Sequence, residues 1–305
     1  MTLTATRTDY FKLHFIVLLW GFTAIGAKLI SIPAVEMVFY RTLLAAIGMG
    51  VVILFNKGVF AVSTGDLVKI FFTGFIVGIH WLTFFRSGQV SNPSTSLVGF
   101  ATCSLWAALL EPIANSKKID ILEIGLGLGV VLGLALIFSF NFQYKTGLIL
   151  GIISGLTAAM FSVINAKIAV RVSAHTITFY EMIGAFISVC LFLPYYQQHF
   201  TEDGQLHLTP VGTDWLYIAI LAWACSVYAY SVAINLTKKM SVFFIQLTLN
   251  LEPVYGIIMA IIIFGQQEIM GWNFYAGTLV ILGAVVIYPY LKKKKEAYSS
   301  RGEIT

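Results

Sequence analysis

Four ionisable side chains stand deep inside long apolar stretches: Arg41, His80, Glu181 and Glu252. A charge at the centre of a bilayer costs roughly 2.5–3.5 kcal/mol on insertion scales, so each one needs a partner or a task. Arginine presents a planar fork of donors that fits a carboxylate. A glutamate can take an ammonium group or hold a proton, and an imidazole can carry a proton near neutral pH or donate a hydrogen bond. Glu252 precedes Pro253. Proline cannot donate the helical hydrogen bond, so free carbonyls are expected beside that carboxylate. Each residue also has a purely structural use. Glu181 or Glu252 could be a protonated acid bonded to a neighbouring helix, Arg41 could bridge to Glu36 or to backbone carbonyls, and His80 could be satisfied within the packing.

Uncharged candidates for the same wall are Asn165, Asn235, Gln246 and Asn250, of which Gln246 and Asn250 share a helix face at four-residue spacing. Among aromatics, Trp81 adjoins His80 and is followed by Thr83, Phe84 and Phe85. Tyr228 and Tyr230 are turned apart by about 200° on a helix, so one at most lines a cavity, and Tyr228 is the candidate. Trp81, Trp106, Trp223, Tyr228 and Tyr230 fall deep in their stretches and could stack on an apolar or cationic substrate. Trp215, Trp272 and Tyr288 fall near stretch ends, as interface-belt residues do.

The elements that must carry these groups are transmembrane helices. The 305 residues are 58% hydrophobic and only 11% charged, against about 25% charged for soluble domains. Ten stretches, roughly 11–30, 34–55, 67–86, 94–114, 120–140, 146–167, 174–193, 214–236, 241–263 and 269–291, are long enough to span a bilayer as helices. Residues 1–291 form one all-α membrane domain, and 292–305 a basic cytoplasmic tail. The first stretch is expected to be retained, not cleaved as a signal peptide.

Fifteen of the 19 Lys and Arg fall on one set of ends: Arg7, Lys12, Lys57, Lys69, Lys117, Lys118, Lys167, Arg171, Lys238, Lys239, the run from Lys292 to Lys295, and Arg301. The other ends hold Lys28, Arg86 and Lys145 together with Glu202, Asp203, Asp214 and Glu268. Positive residues stay inside, so both termini are expected in the cytoplasm. The net charge of +5 reflects this asymmetry and is no nucleic-acid footprint.

Gly21-Phe22-Thr23-Ala24 recurs as Gly155-Leu156-Thr157-Ala158, and Phe39-Tyr40-Arg41 as Phe179-Tyr180-Glu181. The chain is therefore expected to be a duplication, with repeats at 11–140 and 146–291. Five spans per repeat invert the second copy, which suits one central site opened to either side in turn. Gly125, Gly129 and Gly133, like Gly147, Gly151 and Gly155, stand four apart on one helix face. They suit close packing inside the chain, with a homodimer seam as the alternative. A second Leu-Glu-Pro, at Leu110-Glu111-Pro112, lies near the basic end of its helix, where Glu111 is expected to pair with Lys117 or Lys118. Cys103, Cys190 and Cys225 show neither pairing nor metal spacing.

Trp20-Gly21-Phe22-Thr23-Ala24-Ile25, Arg41, Leu251-Glu252-Pro253-Val254, Phe264-Gly265 and the stretch from Gly277 to Gly283 together resemble the drug/metabolite transporter superfamily of EamA type. The family often has Glu directly after the glycine ending the ninth helix, whereas Gln266 and Gln267 precede Glu268 here. The resemblance implies a ten-helix carrier of inverted repeats in the bacterial inner membrane, exporting amino acids and other small metabolites. With no phosphate-binding loop and no nucleophile or metal motif, the chain is expected to be neither an enzyme nor ATP-driven, and to need no cofactor. The site set is Arg41, His80, Trp81, Asn165, Glu181, Tyr228, Gln246, Asn250 and Glu252, the partners a small-molecule substrate and the lipid bilayer, and protons a candidate coupling ion. An organic-cation exporter and a non-transporting membrane sensor or scaffold are the alternatives.

Overall fold

The computed structural model describes residues 5–91, 93–137, 145–201, 203–264 and 272–300. Glu202, Gly265, Gln266, Gln267, Glu268 and Arg301 lie outside the described residues, as does the side chain of Lys28. All regular structure among the described residues is helical: α1 (Arg7–Leu29), α2 (Ala34–Phe55), α3 (Thr64–Val90), α4 (Pro93–Phe100), α5 (Thr102–Ala114), α6 (Ile121–Ile137), α7 (Lys145–Ile168), α8 (Ala174–Phe200), α9 (Asp214–Ile220), a π-helical segment Leu221–Ala229, α10 (Tyr230–Leu236), α11 (Val242–Leu249), α12 (Glu252–Phe264) and α13 (Trp272–Ser300).

Helix starts follow from local chemistry. Thr6 and Asp9 form a reciprocal capping box at α1, and Ser63, Ser173 and Ser241 accept the Asp66, Thr176 and Phe244 amides at 3.2, 3.1 and 3.2 Å. Among the described residues, seven segments are long and apolar enough to cross a membrane: Ala34–Phe55, Thr64–Val90, Thr95–Ala114, Lys145–Ile168, Ala174–Phe200, Asp214–Leu236 and Tyr275–Lys295. A shorter apolar helix covers Ile121–Leu136. α1 carries Asp9, Lys12, His14 and Lys28, and the α11–α12 stretch is broken at Asn250 and Leu251, so both depart from an unbroken apolar run. The outward faces are apolar: Leu132 is 69% exposed and Val286 70%. In water such surface would be costly, and lipid removes that cost.

The two halves embrace reciprocally. α1 packs on α12 while α7 packs on α4 and α5; α2 packs on the π-helical segment while α8 packs on α3; α6 pairs with α13. The repeated glycines sit at matching junctions. A Cβ on Gly21 would meet the Glu252 carbonyl oxygen at 2.9 Å, and one on Gly155 the Phe100 carbonyl oxygen at 2.9 Å, each beside a helix break. Gly147 and Gly151 are likewise pressed against Ser91 and Gly99, so this glycine face packs inside the chain. Gly125 and Gly129 have no atom near a would-be Cβ.

Several expectations need correction. Glu111 makes no ion pair with Lys117 or Lys118 among the described residues; its carboxylate accepts the Phe243 amide at 2.9 Å and caps α11. Tyr288 is buried, not a belt residue, because its hydroxyl donates to Glu123 at 2.8 Å between α6 and α13. The last helix does not stop at 291 but continues to Ser300. Lys292 and Lys295 bridge back to Asp120 and Glu123 at 2.8–3.0 Å.

Candidate functional site

A central cavity of about 990 Å³ of non-atom space, its mouth included, lies between the halves. α1, α2, α3 and α4 contribute Trp20, Thr23, Arg41, Val77, His80, Trp81, Phe84, Phe85 and Phe100. The later helices contribute Phe161, Ser162, Asn165, Cys225, Tyr230, Gln246, Leu249 and Glu252, among others. Six of the nine residues singled out from sequence therefore face one space: Arg41, His80, Trp81, Asn165, Gln246 and Glu252.

Arg41 is held on one edge and open on the other. Its Nε donates to Ser226 Oγ at 2.8 Å, and its guanidinium carbon lies 4.6 Å from the centroid of the Trp81 ring. The Ser226 hydroxyl donates in turn to the Leu221 carbonyl at 3.1 Å, five residues back, inside the π-helical segment. The wider π turn gives the seat that turns Arg41 inward, and such turns are frequent at functional sites. Arg41 does not bridge to Glu36; Glu36 instead accepts the His207 amide at 3.4 Å. No carboxylate among the described residues approaches within the 4.0 Å of an ion pair to Arg41.

Glu252 opens α12, so its carboxylate sits at a helix N-terminus, where the half-helix dipole favours negative charge. Pro253 falls in that first turn, where its missing N–H costs nothing. Turn bonds occupy the three carbonyls before Leu249, the residue whose carbonyl loses its helical donor to Pro253. Thr248 accepts the Leu251 amide at 3.0 Å, Leu247 the Asn250 amide at 3.3 Å, and Gln246 the Asn250 side-chain amide at 3.1 Å. Thr23 reaches the Glu252 carboxylate from α1.

His80 Nδ1 lies 2.9 Å from Ser154 Oγ and 3.0 Å from the Ser154 carbonyl, which ties α3 to α7. Phe84, Phe100 and Phe161 surround its ring. Gln246 donates to Ser162 Oγ at 2.7 Å, and its buried Oε1 has no partner among the described residues.

Three sequence-assigned residues stand outside the lining. Tyr228 is 43% exposed, packed edge-on to Phe15, so the cavity tyrosine is Tyr230 on the opposite helix face. Asn250 caps the end of α11, and its side-chain amide donates to Ser104 Oγ at 3.2 Å as well as to the Gln246 carbonyl, which leaves it outside the cavity lining. Glu181 is fully buried behind the wall, where Asn165 Nδ2 donates to its Oε2 at 3.2 Å and the Tyr230 phenol lies close by. Trp223 also lies outside, 54% exposed. Sequence reasoning missed Trp20, Thr23 and Ser226. Trp20 and Thr23 sit three apart on one face of the Trp-Gly-Phe-Thr motif, a signal that was present; nothing in sequence marks Ser226, whose role depends on the π turn.

Helices in two mutually clasping halves, apolar outside and enclosing a cavity lined by charged side chains, define a multi-pass membrane protein. The family model for the EamA-like transporter family matches twice, over residues 10–139 and 145–288, and the chain belongs to that family. A transporter role follows from that membership. A solved structure described only as "Crystal structure of protein" is similar over 96% of this chain and 100% of its own, at 14% identity and a TM-score of 0.78; that likeness concerns the fold alone. No curated protein matches.

Proposed function

We propose that the protein is a secondary transporter of small zwitterionic or amphipathic metabolites, amino acids foremost, working by alternating access. One observation carries this reading: Arg41 and Glu252, of opposite charge, face one cavity and neither is consumed by an ion pair. Arg41's open edge suits a substrate carboxylate, and Glu252 suits an amine. Phe84, Phe85, Phe100 and Phe161 offer an apolar wall for the rest of the molecule.

In this reading all ten apolar stretches cross the membrane, the second repeat is inverted and both termini are cytoplasmic. The reciprocal packing of the halves supports it, as does the crowding of Lys and Arg at one set of ends. The cavity lining extends to Thr237 and Val242, beside Lys238 and Lys239, which supports reading this conformation as inward-facing. The opposite end is tied shut. Asp214 accepts the Ser31 amide and hydroxyl at 3.0 and 2.5 Å, and Tyr40 donates to the Leu208 carbonyl at 2.5 Å. Export across a bacterial inner membrane is proposed from the family resemblance.

The test is a ligand-stabilisation screen of the purified protein against amino acids and quaternary amines. A ligand at 100 times its dissociation constant adds about 2.7 kcal/mol of stability. Stabilisation by amino acids supports the reading. Stabilisation by quaternary amines alone would make it an organic-cation carrier, and stabilisation by neither would contradict a cavity built for either charge.

A further inference from the structure

Glu181 is the one of the four deep ionisable residues that stands outside the cavity lining. Its side chain has no exposure to solvent, and its Oε1 has no hydrogen-bond partner among the described residues. No Lys, Arg or His nitrogen among those residues comes within 4.0 Å of it. An ionised carboxylate so placed would carry a desolvation cost of several kcal/mol with no countercharge to offset it. The neutral acid carries none of that cost.

The surroundings leave one way out. On α3, a Cβ added to Gly74 would meet the Glu181 carbonyl oxygen at 2.6 Å and its Cα at 3.0 Å, so that helix is pressed flush against α8. From α3, His80 is engaged with Ser154, and from α2, Arg41 is engaged with Ser226. From α7, Lys167 is bonded to the Ala114 carbonyl and only the Asn165 amide faces the acid. From α10 comes the Tyr230 phenol, which also accepts from Asn165 Nδ2 at 3.3 Å. Asn165 and Tyr230 both line the cavity. These two polar side chains thus stand between the sealed carboxyl and the transport chamber.

Asn165 suits both protonation states. As placed, its N–H groups donate to Glu181 and Tyr230 while its buried Oδ1 has no partner. Turning the amide over presents that oxygen to an acid O–H instead. Resting on the transporter reading, we propose that Glu181 is a proton-binding carboxyl that couples transport to the proton gradient, gated from the cavity by Asn165 and Tyr230. When the two side chains turn aside, the acid O–H bond breaks, the proton passes to cavity water and the carboxylate keeps the electron pair. Return of a proton lets the group be sealed again.

The first test needs no cargo. Infrared spectra of the protein in lipid nanodiscs, taken across pH, should show a protonated-carboxyl band that disappears as pH rises. Glu181→Gln should remove that band, Glu181→Asp should keep it with a displaced midpoint, and Tyr230→Phe or Asn165→Ala should shift the midpoint. If Glu181→Gln removes no titrating band, the proposal is overturned whatever the cargo is. The second test is uptake of a radiolabelled L-amino-acid mixture into proteoliposomes, as the ratio of uptake with a pH gradient to uptake at equal pH. The wild-type ratio should exceed one and fall to one in Glu181→Gln. An unchanged ratio overturns the coupling role, and no uptake at all by wild type overturns the amino-acid reading while the infrared result still decides the proton site.

Discussion

Gly21 and Gly155 occupy reciprocal junctions, so one methyl group at each should damage the protein in the same way. A Cβ on Gly21 would lie 2.9 Å from the Glu252 carbonyl oxygen and 3.0 Å from the Gly256 amide nitrogen, where ordinary contact begins at 3.4 Å. Both obstacles are backbone, so no side chain can step aside and α1 must retreat from α12. On Gly155 the new atom would meet Thr102 Oγ1 at 2.6 Å, the Phe100 carbonyl oxygen at 2.9 Å and the Cys103 amide nitrogen at 3.0 Å. Such overpacking costs about 1–3 kcal/mol. Gly125 is the internal control, since it also lies in a helix and a Cβ there meets nothing within 4 Å. Gly125→Ala should be neutral or gain up to about 1 kcal/mol from helix propensity. Thermal inactivation followed by size-exclusion fluorescence should therefore rank Gly125→Ala at or above wild type and the other two below it. Gly21→Ala should further weaken ligand binding, because Glu252 stands at the displaced junction. Equal midpoints for all three variants would refute the reciprocal close packing.

Three further outcomes are expected. Bonds from Thr6, then Lys239, hold the Asp9 carboxyl at the N-terminal end of α1 down from 3.8 to about 2. That stabilisation is complete above the unfolded value of about 3.9 and fades as pH falls towards 2, so Lys239→Met should raise the midpoint of acid inactivation. Ser226→Ala frees the Arg41 guanidinium from its seat and should weaken amino-acid binding by up to about tenfold in titration calorimetry, at near-normal stability. Tyr228→Phe should leave binding and stability within about 0.5 kcal/mol of wild type, as surface changes do, whereas Tyr230→Phe should alter the pH dependence of uptake.

Much of the architecture was legible because bilayer physics writes it in plain composition. Helix bounds such as Ala34–Phe55 and Lys145–Ile168 fall within a residue or two of apolar runs visible in the sequence. The deep charges were legible for the same reason, since Arg41 and Glu252 stand out against their surroundings. Less could be read wherever a helix departs from regular geometry. The π turn rotates the residues after Leu221, placing Tyr230 on the cavity and Tyr228 on the outside. Asn250 stays bonded to the Gln246 carbonyl, yet its amide also goes to Ser104 and only Gln246 lines the cavity. Burial depth was also hidden: Glu181 and Arg41 occupy matching places in the two repeats, yet one is sealed behind Asn165 and the other faces the chamber.

The central claim is that one cavity recognises two opposite charges on one small molecule. Its most direct test is uptake of radiolabelled L-amino acids and of a labelled quaternary amine by proteoliposomes carrying wild type, Arg41→Ala or Glu252→Gln. Losing a charge-assisted bond of about 1.5–3 kcal/mol should weaken amino-acid affinity about 10- to 150-fold in each variant, with the quaternary amine transported poorly throughout. Amino-acid uptake that survives Arg41→Ala but vanishes with Glu252→Gln would contradict it.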